Sequence, residues 1–273
     1  MRLGQPARHE LVAVLKKGGV PDAKAEQLAT RSNGNIPLVL RYLAGTPERP
    51  AWAKPESIEK VRPLALLGGW HSDNPADVAA VGVVVGGDYH AWISELFPII
   101  HGAEPPFVHN QNNFRPVSRY ENWQLLGPYL TDAHLDRFSH AAITALRDDN
   151  PRLSVPAEKR LYSVRGDSTP RCSEVLRQGL AETAALLGGQ SAALLQCSPY
   201  KAREAAFSVV SSVLKDTDWK RWASLGSLLT LLAEADPETY LRIIRADLNK
   251  KEGSAVRHLF GEVEGGVFGG FLP

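Results

Sequence analysis

The sequence lacks the features that mark secreted, disulfide-linked and membrane-spanning proteins. Its 273 residues include only two cysteines, Cys172 and Cys197, and no C-x-x-C pair. No apolar run approaches the roughly 18 residues of a membrane-spanning helix. Residues 1–10 have no apolar segment of the kind found in a secretion signal. We therefore expect a cytoplasmic protein with free cysteines and no association with a membrane.

An excess of charge of one sign is also missing. Lysine and arginine total 31, and aspartate and glutamate total 30, which leaves a net charge of +1. Nucleic-acid binding needs a clustered cationic surplus that neutralises phosphates. The nearest feature is Lys220-Arg221 between Trp219 and Trp222, an arrangement that could stack a base. Because the overall charge is balanced, we expect no nucleic acid as a partner.

The sequence does contain clear helix punctuation within a globular composition. Hydrophobic residues make up 44% of the chain and charged residues 22%, as in ordinary folded domains. Residues 1–45 predict three short helices, of which the first ends at Gly18-Gly19 and the third begins at Pro37. Residues 46–63 contain four prolines and are predicted to be a stiff linker.

Residues 64–260 predict a series of helices joined by short turns. The clearest starts are Asn74-Pro75 and Asp236-Pro237, where an N-cap residue precedes a first-turn proline. Further helices are predicted at residues 58–67, 89–100, 119–129, 132–146, 173–187, 200–214, 217–235 and 237–249.

Strand signals are few and short. The candidates are residues 81–85, 161–164 and 266–271, and we assign the first to the helix that begins at Asn74-Pro75. Residues 261–273 are Gly-rich and apolar and predict a flexible tail, which is consistent with a fragment of a longer protein. The fold class is therefore predicted to be all-α or nearly so, with a short lid-like helical bundle followed by an α-solenoid or superhelical array.

Residues 29–40 read Ala-Thr-Arg-Ser-Asn-Gly-Asn-Ile-Pro-Leu-Val-Leu. This stretch resembles the helical lid that follows the nucleotide-binding core in bacterial STAND-type P-loop ATPases, where a Gly-x-Pro-Leu-x-Leu stretch starts a helix beside the adenine. Here two residues, rather than one, separate Gly34 from Pro37. The resemblance implies that Gly34 and Pro37 contact a nucleotide only if a nucleotide-binding core is present upstream.

No G-x-x-x-x-G-K-[ST] phosphate-binding loop occurs in the sequence. We therefore expect no cofactor and no active site in this chain. The resemblance implies a non-catalytic helical scaffold, or a sensor or interaction region, from a larger STAND-like ATPase. Its expected partner is a protein ligand or the ATPase module of the same parent protein.

Two segments are candidates for contacts with that partner. One is the polar stretch that contains Asn110, Asn112, Phe114 and Arg115, because long polar loops often carry recognition. The other is the pair Trp219 and Trp222, at i and i+3 of a predicted helix. For both segments the alternative is structural, an ordinary connection in the first case and core packing in the second.

A small metal-dependent hydrolase is the alternative function. His101 and His109 flank a loop with Glu104, and these three side chains could bind a metal if the loop folds back. No H-E-x-x-H motif supports this reading. Cys172 follows Arg171 at a predicted helix start, a position that would lower the pKa of a thiol, but no His or Asn is placed to act as its partner.

Overall fold

The computed structural model describes residues 6–32, 34, 36–43, 49–102, 104–155 and 170–260, and this part of the chain is predominantly helical. Its α-helices are α1 (Arg8–Lys17), α2 (Asp22–Ser32), α3 (Ile36–Leu43), α4 (Pro55–Val61), α5 (Pro75–Val85), α6 (Tyr89–Ile100), α7 (Arg119–Leu126), α8 (Asp132–Leu146), α9 (Glu174–Gly189), α10 (Lys201–Leu214), α11 (Trp219–Leu225), α12 (Leu228–Ala235), α13 (Pro237–Leu248) and α14 (Ala255–Phe260). Short 3₁₀ helices occupy Ala51–Ala53, Arg62–Leu66, Gly127–Tyr129, Pro151–Ser154 and Ser191–Ala193. The strands are β1 (Trp70–His71), β2 (Phe107–Asn110) and β3 (Asn113–Pro116).

The predicted helix starts are confirmed where the cap chemistry is strong. Asn74 Oδ1 accepts hydrogen bonds from the N–H groups of Ala76 and Asp77 at 2.9 and 3.2 Å, and α5 includes residues 81–85 as predicted. Asp236 caps α13 through a bond from the Thr239 N–H at 3.1 Å. The nearly all-α fold class is therefore confirmed. The other two strand candidates, 161–164 and 266–271, and the tail 261–273 lie outside the described residues.

The stretch predicted to be a polar loop is a β-hairpin instead. β2 and β3 pair antiparallel with His109 opposite Phe114, and β1 adds to the other side of β3 to give the order β1-β3-β2. Phe114 stacks on Trp70 with ring centroids 4.6 Å apart, which fixes this small sheet to the core. This small sheet is stabilised because its inward-facing aromatic side chains pack against the surrounding helices.

The stretch 46–63, predicted to be a linker, contributes to the core from Trp52 onward. Trp52 and Ala53 are buried, as are Ile58 and Val61 of α4, and all four belong to the main hydrophobic core. The prolines that suggested a stiff connector serve as first-turn residues instead: Pro55 opens α4, and Pro63 opens the 3₁₀ helix Arg62–Leu66. Residues 44–48 lie outside the described residues.

One hydrophobic core runs from Trp52 to Val256, and its contacts differ from those of a linear solenoid. Thr183 Oγ1 of α9 donates a hydrogen bond to the Leu66 carbonyl at 2.9 Å, across more than 100 residues of chain. Gly68 and Gly179 meet so closely that a Cβ on Gly68 would lie 2.3 Å from the Gly179 Cα. In a solenoid each unit contacts only its neighbours, so this part of the chain, which we call the body (residues 50–102, 104–155 and 170–260), is a closed helical assembly around α9.

The three N-terminal helices form a separate unit, residues 8–43, with a small core of its own. It touches the body through Ser118, whose Oγ donates to the Arg31 carbonyl at 2.5 Å, and through the Arg31 guanidinium, 4.9 Å from the centre of the Tyr120 ring. The predicted three-helix segment therefore has a small hydrophobic core that is separate from the core of the body, although its helices contact the body.

Buried carboxylates join distant parts of the body. Asp77 is fully buried and accepts hydrogen bonds from the N–H of His71 at 2.9 Å and from both the N–H and the Oγ of Ser173 at 2.8 and 2.5 Å. This carboxylate therefore ties β1 and α5 to the first turn of α9. Within the described ranges, no helix combines the length and apolar composition needed to cross a membrane.

Candidate interaction groove

The helix predicted over residues 217–235 is broken in the structure, and the break shapes the surface beside α10. Gly226, with φ +49°, ends α11, and α12 begins two residues later. The turn lets α11 place the Trp222 indole under α10 and α13, where it is only 4% exposed.

A groove runs along α10 between that helix and α13, and we call it the α10/α13 groove. It consists of three adjoining cavities of about 620, 330 and 440 Å³, each of which shares lining residues with the next. The α10 side is formed by Tyr200, Arg203, Phe207, Ser211 and Leu214. The α13 side is formed by Glu238, Thr239, Arg242, Ile243, Ala246 and Lys250.

The α10 residues of the groove follow helical periodicity. They occur at i, i+3, i+7, i+11 and i+14 and therefore lie on one face of the helix. Since α10 has 14 residues, this face is about 21 Å long at 1.5 Å per residue. That length matches about four turns of a second helix laid along it.

Two large side chains on this face are exposed rather than packed. Tyr200 is 81% exposed and Phe207 is 42% exposed, and Leu195, in the loop before α10, is 75% exposed. Tyr200 also has φ +67°, a left-handed conformation that is costly for a residue with a Cβ. Phe207 lines a cavity whose other apolar residues are Leu214, Trp222 and Ile243, whereas the cavity that Phe207 shares with Tyr200 is lined mainly by charged and polar side chains. An exposed aromatic side chain beside an apolar cavity is typical of a surface that another protein covers.

Both ends of the groove carry charges of both signs. At the C-terminal end of α10, Lys215 lies beside Asp216, and Lys250 pairs with Asp247 at 2.8 Å. At the N-terminal end, Glu238 faces Arg203 at 3.4 Å and Glu204 faces Lys201 at 3.5 Å. Arg242 lines the cavity that contains Glu204 and Glu238 as well as the one that contains Lys215.

Asp247 lies at the end of the groove near Lys215, where its carboxylate has a structural role. Burial alone would raise the pKa of its carboxyl, but bonds from the Lys250 Nζ, the Val256 N–H and the Ser254 Oγ lower that pKa to about 2. The carboxylate therefore stays charged and holds the start of α14, which leaves it unavailable to a ligand.

The metal site that the alternative hydrolase function would need, at His101, Glu104 and His109, is not formed among the described residues. The two imidazoles have ring centroids 6.1 Å apart, but each is engaged by its surroundings. His101 Nδ1 lies 2.9 Å from the Phe97 carbonyl oxygen, and His109 stacks on Phe114 at 4.1 Å. The part of the chain that the structure describes holds no group of three or more His, Cys, Asp or Glu side chains able to bind a metal ion.

The hairpin candidates for partner contacts are divided between core and surface. Phe114 is 2% exposed and belongs to the core, so the structure corrects its assignment as an interaction residue. Asn110, Asn112 and Arg115 are exposed, and Asn112 donates from its Nδ2 to Asp73 at 2.9 Å. Arg115 lines a cleft of about 550 Å³ that also contacts Thr30 of the N-terminal unit.

The tryptophan pair is divided in the same way. Trp222 is buried beneath the α10/α13 groove and contributes to its floor, so it is a core residue and not an exposed stacking platform. Trp219 is half-buried and packs on His258 with ring centroids 4.7 Å apart. Arg221 forms a two-pronged ion pair with Asp149 at 2.5 and 3.0 Å. Because that guanidinium is already paired, the segment is a poor site for phosphate.

The lid-like residues lie at the start of α3. Gly34 is buried and has φ +76°, a conformation that favours glycine. The helix begins at Ile36, so Pro37 is its second residue and not its first. Both positions agree with a turn followed by a helix start, and their contact with a nucleotide stays a prediction.

Both thiols have raised pKa values in this fold. Burial, together with the carboxylates of Asp77 and Asp148, raises the pKa of Cys172 to about 11. The lowering expected from Arg171 is therefore outweighed by desolvation. Burial and the Asp132 carboxylate likewise raise the pKa of Cys197 to about 11.

No protein-family model, curated protein or solved structure matches this chain. The groove residues Tyr200, Phe207 and Arg242 were missed by sequence reasoning, although the helices that carry them were predicted. Their signal was present as an aromatic pair at i and i+7 of one helix. The sequence alone could not show that the described part of the chain leaves this face of α10 exposed.

Proposed function

We propose that this chain is a helical interaction region that binds a helical segment of a protein partner in the α10/α13 groove. The observation that carries the proposal is the row of three cavities along one face of α10, in which the exposed Phe207 shares a cavity with the buried indole of Trp222 and the exposed Tyr200 lines the two cavities toward the start of α10. An amphipathic helix laid in a groove of this kind anchors through side chains at i, i+3, i+4 and i+7. The proposal gives the expected protein partner a place to bind.

A second exposed surface, on α3, is a candidate contact for a further module of the same parent protein. α3 exposes Ile36, Leu40 and Leu43 at i, i+4 and i+7, and Leu40 is 62% exposed. Val14 of α1 is also exposed. A stripe of this spacing is the buried face of an ordinary amphipathic helix. We propose that it packs against the module that the lid-like resemblance implies, and this stays separate from the groove.

The groove proposal is tested by selecting binders from a display library of 14-residue helical peptides and measuring their affinity by fluorescence anisotropy. We expect saturable binding that weakens at least tenfold in Phe207→Asp, because a charge placed above the apolar floor opposes burial of an anchor side chain.

Leu241→Asp is the matched control, since Leu241 is 51% exposed on α13 and does not line the groove. Binding should be unchanged in this variant. Equal loss in both variants, or no saturable binder in the library, would contradict the proposal.

A further inference from the structure

The cleft between the N-terminal unit and the body, which contains Arg115 and which we call the junction cleft, carries two cations and two carboxylates. We propose that it binds a small zwitterion, a molecule with both a carboxylate and an ammonium group, as in a free amino acid. Arg115 and Arg119 bind the carboxylate of this ligand, and Glu174 and Glu182 bind its ammonium group. The cleft shares no lining residue with the α10/α13 groove, so this inference does not depend on the proposed function.

The junction cleft has the size and position of a small-ligand site. Its volume is about 550 Å³, and its walls come from three parts of the fold. Thr30 belongs to α2 of the N-terminal unit, Arg115 and Arg119 belong to β3 and α7, and Glu174 and Glu182 belong to α9. Cavities of several hundred Å³ between two units of a protein are the usual place for small ligands.

The Arg119 guanidinium is a cation without an ion pair. Its acceptors among the described residues are neutral oxygens, those of the carbonyls of Ala65, Leu67 and Gly179 and of the Thr183 hydroxyl. Burial lowers the pKa of Arg119 to about 10, and the Glu182 carboxylate offsets only part of that effect. A desolvated cation of this kind is stabilised by an anion brought close to it. A ligand carboxylate in the cleft therefore has a charged group to meet.

The other charged groups of the cleft are available to a ligand. Arg115 and Glu174 are exposed, and neither forms a hydrogen bond or an ion pair with a described residue. Glu182 accepts a bond from the Gln178 Nε2 at 3.0 Å through Oε1 only. No described ion pair joins either arginine to either glutamate, so these opposite charges lie more than 4 Å apart. A ligand with charges of both signs can lie between them.

The mixed charge of the cleft disfavours a simple anion and a simple cation. Two carboxylates in one cavity repel an anion that has no positive group of its own. Two helices also begin at the cleft, α7 with Arg119 and α9 with Glu174, and the first turn of a helix is the positive end of its dipole. Together with the two arginines, these helix ends oppose a simple cation. A zwitterion satisfies both sets of charges.

The test is a screen of the common L-amino acids against the full chain by thermal shift, followed by calorimetric titration of those that raise the melting temperature. We expect at least one of them to bind saturably, with one site per chain. Its N-acetyl derivative lacks the ammonium group and its amide lacks the carboxylate. Each derivative should bind about tenfold more weakly, because it leaves one set of charges in the cleft without a partner.

Two substitutions place the ligand in the cleft. Arg115→Gln and Glu174→Gln each remove one charge from an exposed side chain, so the fold should be retained. We expect each variant to bind the amino acid about fivefold more weakly, which is the effect of one partly exposed ion pair. Arg147→Gln and Glu234→Gln are the matched controls, since both residues are exposed and neither lines the cleft. These controls should bind as the wild-type chain does.

Each of three results would overturn the inference. One is that none of the amino acids binds saturably. Another is that the N-acetyl derivative or the amide binds as tightly as the parent amino acid, which would make the cleft a site for an anion or a cation alone. The third is unchanged affinity in both Arg115→Gln and Glu174→Gln, which would place the binding site elsewhere.

Discussion

The N-terminal unit and the body use the same helix punctuation but are held together very differently. The unit relies on a few small or medium-sized apolar residues, including Leu11, Leu15 and Leu28, and it exposes a stripe on α3. The body buries aromatic side chains such as Trp70 and Trp123 and adds hydrogen-bonded carboxylates. Well-formed helices therefore do not imply an equally stable tertiary structure, because a unit of about 36 residues buries too little surface to be robust alone.

The largest change in stability that would test this comparison is expected at the contact between Gly68 and Gly179. In Gly179→Val, a Cβ at residue 179 would lie 2.6 Å from the Gly68 Cα, so α9 must move from the 3₁₀ helix Arg62–Leu66. We expect a loss of about 4 kcal/mol in the free energy of unfolding of the body, measured by urea denaturation.

Gly189→Ala in the same helix is the control, since nothing lies within 4 Å of its Cβ position. A similar loss in both variants would show that helix propensity, and not the close contact, determines the effect.

The next largest expected effect is a dependence of the stability of the body on pH. His134 is 4% exposed, and burial together with Arg62 and Arg137 lowers its pKa to about 4, while its Nδ1 accepts a bond from the Thr131 N–H at 3.2 Å. The unfolded chain binds a proton near pH 6.5, whereas the folded chain does so only near pH 4. Stability is therefore fully present above pH 6.5 and falls between pH 6.5 and 4.

The expected loss over that interval is about 3 kcal/mol. Urea denaturation at a series of pH values should show it in the wild-type chain, and His134→Gln should flatten the profile. An unchanged slope in the variant would assign the pH dependence to other groups.

The smallest effect should appear in the unit. Leu28→Ala removes part of its core, with an expected loss of about 2 kcal/mol in local stability. Amide hydrogen exchange should accelerate in residues 8–43 while the protection of α9 stays as it was.

Leu40→Ala provides the matched control because Leu40 is exposed, and its effect should be within about 0.5 kcal/mol. If Leu28→Ala also accelerated exchange in α9, the unit and the body would unfold together, and the comparison between them would break down.

Prediction from the sequence succeeded wherever the information was local. α6 has the predicted bounds, Tyr89–Ile100, and α10 and α13 agree with prediction to within one residue at each end. The caps Asn74 and Asp236 were read from side chains that bond to the next few N–H groups.

The hairpin β2–β3 was missed because its turn signal is weak. The turn contains Gln111 at φ +54°, where Asn or Gly is the usual residue. The strands are also only four residues each, with no clear alternation of apolar and polar side chains. Core packing was the alternative given for Trp222, and its burial agrees with that alternative. The burial of Phe114 was not predicted, because this residue stands in a polar segment and long-range packing decides whether it is buried.

The sequence by itself determined most of the helices, many of their ends and the nearly all-α class. Those features depend on caps, glycines and apolar spacing within a few residues of each other. Only the tertiary structure decided that the body closes around α9, that Trp52, Ala53, Ile58 and Val61 belong to its core and that none of the described residues covers one face of α10. Each of these depends on contacts between residues far apart in the chain, such as Gly68 with Gly179, whose free energy no local pattern reports.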